Sequence, residues 1–154
     1  MLNKRHKILV VDDERAIASL RTAILESQGY ETATAYSGEE AVQVAYSFQP
    51  DCVVSDVIME AMNGVDAAME ILNFLPRCKV LFISGNAGYG DHLGKARAKG
   101  FNFEALDKPV TPLEVLAKIA TILSDSADPN RKPAASEYPA STGLTLKGLG
   151  GLFQ

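Results

Sequence analysis

The stretch Lys7-Ile8-Leu9-Val10-Val11-Asp12-Asp13-Glu14 decides the fold. Its apolar half is continuous rather than alternating. An alternating strand buries one face, whereas a continuous apolar run is buried on both faces, as inside a parallel sheet. Its acidic half puts adjacent carboxylates at the carboxyl end of that strand. In open α/β sheets, that end is where ligands bind.

Working outward, more apolar runs of the same length recur between helical patterns. Arg15–Gln28 carries Ile17, Leu20 and Ile24 at helical spacing and is stopped by Gly29. Glu31–Ala35 reads as a weaker strand. Ser37 and Glu40 have the spacing of a capping box and open a second helix, which Pro50 ends. Cys52–Asp56 is a third strand with both faces buried. Asn63 and Gly64 open a third helix, closed by Pro76, and Lys79–Ser84 is a fourth strand. The segment from Gly85 to Gly100 holds four further glycines at or near its start and middle (85, 88, 90 and 94) and one large aliphatic residue, Leu93, so any helix there has poor intrinsic support. Phe103–Leu106 is a short fifth strand. Thr111, Pro112 and Glu114 then combine a capping box with proline at the first helical position, and that helix runs to about Ser124. Strands alternating with helices imply an α/β fold, a doubly wound five-stranded parallel sheet with helices on both faces.

The composition fits such a domain. The chain has 154 residues, 47% of them hydrophobic and 22% charged, enough for one core of ordinary polarity. Residues 1–124 are expected to form the domain. Residues 125–154, with Pro129, Pro133, Pro139 and four glycines among them, read as a flexible C-terminal tail, too short and too glycine-rich for a DNA-binding output domain. A net charge of −4 offers no basic field for nucleic acid. No apolar run approaches the roughly 20 residues of a membrane span, so no membrane association and a cytoplasmic location are expected. Cys52 and Cys78 read as reduced, buried thiols, and His6 and His92 as surface residues without a metal role.

The chemistry collects at the strand ends. Asp12 and Asp13 follow the first strand, Asp56 ends the third, Ser84 ends the fourth, and Lys108 follows the fifth. A doubly wound sheet brings these to one edge. Three carboxylates there repel one another unless a cation neutralises them, and oxygen-only donors at an open edge suit Mg²⁺. A lysine and a hydroxyl beside them suit phosphate oxygens, and a carboxylate can itself accept a phosphoryl group.

The pieces KILVVDDE, VVSDVIMEAMNG, VLFISG and DKP, in this order at element ends, resemble the receiver domain of bacterial response regulators, close in layout to the single-domain, chemotaxis-type members. The resemblance spans residues 7–123. It implies a flavodoxin-like strand order 2-1-3-4-5, with Asp56 as the phosphoacceptor. It implies Mg²⁺ held by Asp13, by Asp12 through water, by Asp56 and by the backbone carbonyl of Ile58. Ser84 is implied as the switch hydroxyl, Lys108 as the phosphoryl contact, and Pro109 as following a cis peptide bond. The implied partners are a sensor histidine kinase or phosphotransfer protein and a downstream protein or second copy of the chain. The implied chemistry is limited to the domain's own phosphorylation and slow dephosphorylation.

Two positions depart from the family's pattern. Glu60 stands where proline is frequent, and Ala105 stands where an aromatic switch residue is usual, with Phe103 two residues earlier. An aspartate-dependent phosphatase would need a second Asp where Ile58 stands. A pseudo-receiver, binding partners without phosphorylation, would not need the full set of acids and lysine. The last helix carries two apolar stripes, Leu113/Leu116/Ala117/Ala120/Leu123 and Val115/Ile119/Ile122. One stripe suffices for packing on a sheet, and the second, Val115/Ile119/Ile122, is either extra core or an exposed face for a partner or dimer.

Overall fold

The computed structural model describes residues 5–85 and 89–124; the expected C-terminal tail lies outside them. The elements are β1 (Lys7–Val11), α1 (Arg15–Ser27), β2 (Glu31–Ala35), α2 (Gly38–Phe48), β3 (Cys52–Ser55), α3 (Gly64–Phe74), β4 (Lys79–Ser84), α4 (Tyr89–Ala98), β5 (Glu104–Asp107) and α5 (Pro112–Ser124). The five strands form one sheet in the order β2-β1-β3-β4-β5, and every neighbouring pair is parallel. The expected fold and strand order are those observed.

Each central strand serves two cores. Leu9, Val11, Val53, Val80 and Phe82 face one side, with α2, α3 and α4. Ile8, Val10, Cys52, Val54, Leu81 and Ile83 face the other, with α1 and α5. This is why the runs of β1, β3 and β4 are continuously apolar. It also separates the cysteines. Cys52 packs on the second side and Cys78 on the first, on opposite faces of the sheet. Burial pushes the Cys52 thiol up to about 12, well away from any reactive range.

The capping boxes form as spaced. The Glu40 N–H donates to Ser37 Oγ at 3.0 Å, although the Glu40 carboxylate reaches back one residue further, to the Tyr36 N–H at 2.8 Å. Thr111 and Glu114 cap each other reciprocally at 3.1 and 2.8 Å. Such caps are worth about 1 kcal/mol each.

Two helices sit differently from their sequence patterns. In α1, Leu20 points to solvent, and the fully buried positions are Ala18 and Leu25. In α5, Val115, Ile119 and Ile122 are the core, whereas Leu113 is 76% exposed and Ala117 and Ala120 are exposed too. The β-branched stripe is the inner one, and the leucine–alanine stripe faces outward with Leu116 and Leu123 half-buried.

Candidate functional site

The strand ends are tied together by backbone before any side chain is considered. The Asp12 N–H donates to the Ala35 carbonyl, the Asp56 N–H to Val11, and the Lys108 N–H to Ser84, at 3.1, 3.2 and 3.0 Å. Each residue just past its strand thus continues the ladder by one step. Asp12, Asp56, Ser84 and Lys108 therefore stand on one rigid edge, the arrangement that a precise site requires.

The side chains meet there in part. Lys108 Nζ lies 3.2 Å from Asp56 Oδ2, with only 14% of the Asp56 side chain exposed. Ser84 is buried at the end of β4, and Lys108 follows Asp107, its partner in register. Gly85 lets Lys108 run close by, since a Cβ there would sit 3.1 Å from Lys108 Cβ. The Lys108–Pro109 peptide bond is cis.

Asp12 is fully buried. Its Oδ1 accepts the Glu14 N–H at 2.9 Å and its Oδ2 accepts Arg21 Nη1 at 3.0 Å. Burial raises its pKa above the ordinary carboxylate value. The Glu14 N–H and the Arg21 guanidinium oppose that rise, the neighbouring charge of Asp56 adds to it, and Lys108 opposes it. Asp12, Asp56 and Lys108 therefore share one electrostatic site. Asp13 is exposed beside them.

The segment after Asp56 is folded back on the strand. Val57 and Met59 are buried, Ile58 and Glu60 are exposed, and Ala61 has a left-handed φ of 60°. The Gly64 N–H closes the loop on the Val57 carbonyl at 2.7 Å. A side chain at Gly64 would overlap the Asp56 carbonyl oxygen and press on Ser55 Oγ. Only glycine lets α3 start this close to the site. Asn63 then caps α3 by accepting the Asp66 N–H at 2.9 Å.

The donor set fits Mg²⁺ rather than a metal gripped by protein alone. Among the described residues no three acidic, histidine or cysteine side chains close on one point. Mg²⁺ does not need them, because it keeps several waters and takes one or two carboxylates. The edge with the buried Asp12, the partly buried Asp56 and the exposed Asp13 offers that.

The chain matches the response regulator receiver domain model over residues 8–120. It belongs to that family. Among relatives of this receiver domain, chemotaxis protein CheY of Thermotoga maritima is 34% identical over 113 residues, covering 71% of this chain and 91% of that protein. The alkaline phosphatase synthesis transcriptional regulatory protein PhoP of Bacillus subtilis is 33% identical over 123 residues, which are 78% of this chain and 49% of PhoP. This chain therefore spans about half the length of some curated relatives. The solved structure of response regulator protein TrrA from Thermotoga maritima, in complex with Mg²⁺-BeF, superposes with a TM-score of 0.65 at 30% identity, over 75% of this chain and 97% of that one.

Three of the receiver domain's phenylalanines meet at β4. Phe103 stands edge-on to Phe82 with ring centres 5.2 Å apart, and stacks on Phe101 at 5.7 Å. In register, Ala105 lies across from Phe82 and Asp107 across from Ser84. Phe103 precedes the strand, two residues further from the site edge than Ala105, and packs into the core. Arg21 was not legible as a site residue. Its signal was its spacing, because Ala18, Arg21 and Leu25 follow the inward face of α1, where an arginine needs a reason.

Proposed function

We propose that this receiver domain accepts a phosphoryl group on Asp56 from the phosphohistidine of a sensor histidine kinase or phosphotransfer protein and signals by protein contacts. The carrying observation is the Asp56–Lys108 pair at 3.2 Å, on a backbone-locked edge beside the buried Asp12. An Asp56 oxygen attacks phosphorus and the P–N bond of the phosphohistidine breaks. The imidazole leaves with the electron pair and an acyl phosphate forms. Lys108 moves from the carboxylate to the phosphoryl oxygens, and the Ser84 hydroxyl donates to another of them. Mg²⁺, when bound by Asp12, Asp13, Asp56 and the Ile58 carbonyl, neutralises charge on the transferring group. The Mg²⁺-BeF complex of TrrA supports this assignment. Attack of water on phosphorus later releases inorganic phosphate and resets the domain. It acts on no other substrate.

The output follows from which surfaces are poorly anchored. The α4 segment is the element that responds, and the exposed Leu113 side of α5 meets a downstream protein or a second copy. Among the described residues no helix is long and apolar enough to cross a membrane, and a cytoplasmic site of action fits a kinase partner. The test is intact mass after incubation with acetyl phosphate and Mg²⁺. The expected result is one phosphoryl adduct on the wild type, none without Mg²⁺ and none on Asp56→Asn. A wild type that gains no adduct from acetyl phosphate or from any histidine kinase tried would instead be a pseudo-receiver.

A further inference from the structure

Arg21 occupies a place where helix periodicity calls for an apolar residue. Ala18 and Leu25 are fully buried on α1, and Arg21 lies between them on the same face. Only 12% of its side chain is exposed, and its guanidinium ends 3.0 Å from Oδ2 of the fully buried Asp12. Two charges removed this far from water persist only because each neutralises the other. The guanidinium cannot shed its proton to relieve the site.

The consequence concerns the metal. With Oδ1 on the Glu14 N–H and Oδ2 on Arg21, both Asp12 oxygens are already engaged by the protein. An ion arriving at this carboxylate meets a fixed positive charge at contact distance from its own ligand. We propose that Arg21 is the resident counter-cation of the acidic edge, a positioning residue that sets the domain's Mg²⁺ affinity by competing with the ion for Asp12. This rests on the functional reading above, and adds which residue tunes it.

The packing behind Arg21 permits the exchange. Its stem lines a cavity of about 160 Å³ between α1 and α5, walled by Ile17, Leu20, Ile24, Val110, Val115 and Leu116. Arg21 thus borders open space on that side. When the ion takes Asp12, the stem has room to shift while α1 stays in place. Without the ion, Arg21 holds Asp12 oriented in its buried place.

The experiment is a Mg²⁺ titration of the full chain at constant ionic strength, followed by the amide resonances of Asp12, Asp13 and Asp56. Arg21→Met keeps an unbranched stem without the guanidinium and removes the charge, and is expected to tighten binding by about fivefold, the scale of one unit charge acting near a partly exposed site. Arg21→Lys restores binding close to the wild type. Equal or weaker binding in Arg21→Met would overturn the proposal, because Arg21 would then only hold Asp12 in shape. A wild type whose acidic amides do not respond to Mg²⁺ would remove the metal reading itself, and the competition with it. A second readout needs no variant. In the wild type, the Arg21 Nε–H resonance is expected to shift with the same midpoint as Asp12, and a resonance unmoved at saturation would refute the exchange.

Discussion

The two halves of the site edge are built to different standards of rigidity. On the β1–β3 half, Asp12 is buried and doubly bonded, Asp56 is locked by backbone to Val11, and the loop after it is pinned by Gly64. On the β4–β5 half, Ser84 and Lys108 are equally well seated, but the helix between those strands is not. Among its described side chains, α4 buries only Ala96 fully, and it carries Gly90 and Gly94 in its interior. Chemistry needs the first kind of structure, because a misplacement of about 1 Å costs rate. A switch needs the second kind, because the elements that move come from the low-stability end of a fold. Placing them on the same edge lets a rigid Asp56 act on a loose helix.

The largest expected effect breaks the rigid half. Gly64→Ala puts a methyl group into the Asp56 carbonyl oxygen and Ser55 Oγ, which are backbone and strand rather than a flexible tip. The loop or the start of α3 must move, and about 2–3 kcal/mol of stability is lost by analogy with overpacked cores. Chemical denaturation measures this. Because the clash is with Asp56 itself, the rate of adduct formation from acetyl phosphate is expected to fall as well, even at temperatures where the variant stays folded. A variant of wild-type stability would mean that the β3–α3 loop yields easily and that this half is not rigid.

A smaller effect carries a pH dependence. Burial holds the Asp12 pKa above its ordinary value of 3.8 in the folded state, despite Arg21. A carboxylate raised in this way binds its proton more tightly when folded. Its contribution to stability is fully present below 3.8 and is lost as pH rises through the higher folded value. Asp12→Asn has no such loss. Although Arg21 loses its partner in that variant, the stability of Asp12→Asn relative to the wild type is expected to rise from the ordinary carboxylate range towards neutral pH. Thermal melts of both proteins across that range test it. An advantage that grows on acidification would mean that the Arg21 pair outweighs the burial of Asp12.

The strands were more legible than the helix faces. The bounds of β1 and β4, and the place of Asp12, Asp56 and Ser84 at strand ends, follow from apolar runs that end in polar residues, a local pattern. Helix faces were harder. Ile17, Leu20 and Ile24 have helical spacing, yet Leu20 faces water, because α1 turns Ala18 and Leu25 inward and Arg21 with them. In α5 both stripes are apolar, and only the crossing over the sheet selects Val115, Ile119 and Ile122. Periodicity states that a face exists, but which of two neighbouring faces is buried depends on long-range packing. The Arg21–Asp12 pair joins residues nine apart through that same packing, so no motif announced it.

The smallest expected effect sharpens the loose half. A Cβ at Gly90 or Gly94 would meet nothing within 4 Å, so neither glycine is demanded by a neighbour or by a left-handed φ. Each lowers the stability of α4 by about 0.5–1 kcal/mol relative to alanine, through backbone freedom alone. Gly94→Ala is therefore expected to leave global stability nearly unchanged while slowing amide hydrogen exchange within α4 several-fold. The variant also separates two reasons for the glycines. If looseness serves the switch, the Ala variant takes up phosphoryl groups on Asp56 at the wild-type rate but shows smaller phosphorylation-linked shifts in the α4 amides. If those shifts keep their full size while exchange slows, α4 moves as a rigid unit. The difference between the two halves of the edge would then lie in how α4 is attached and not in its own weak helix.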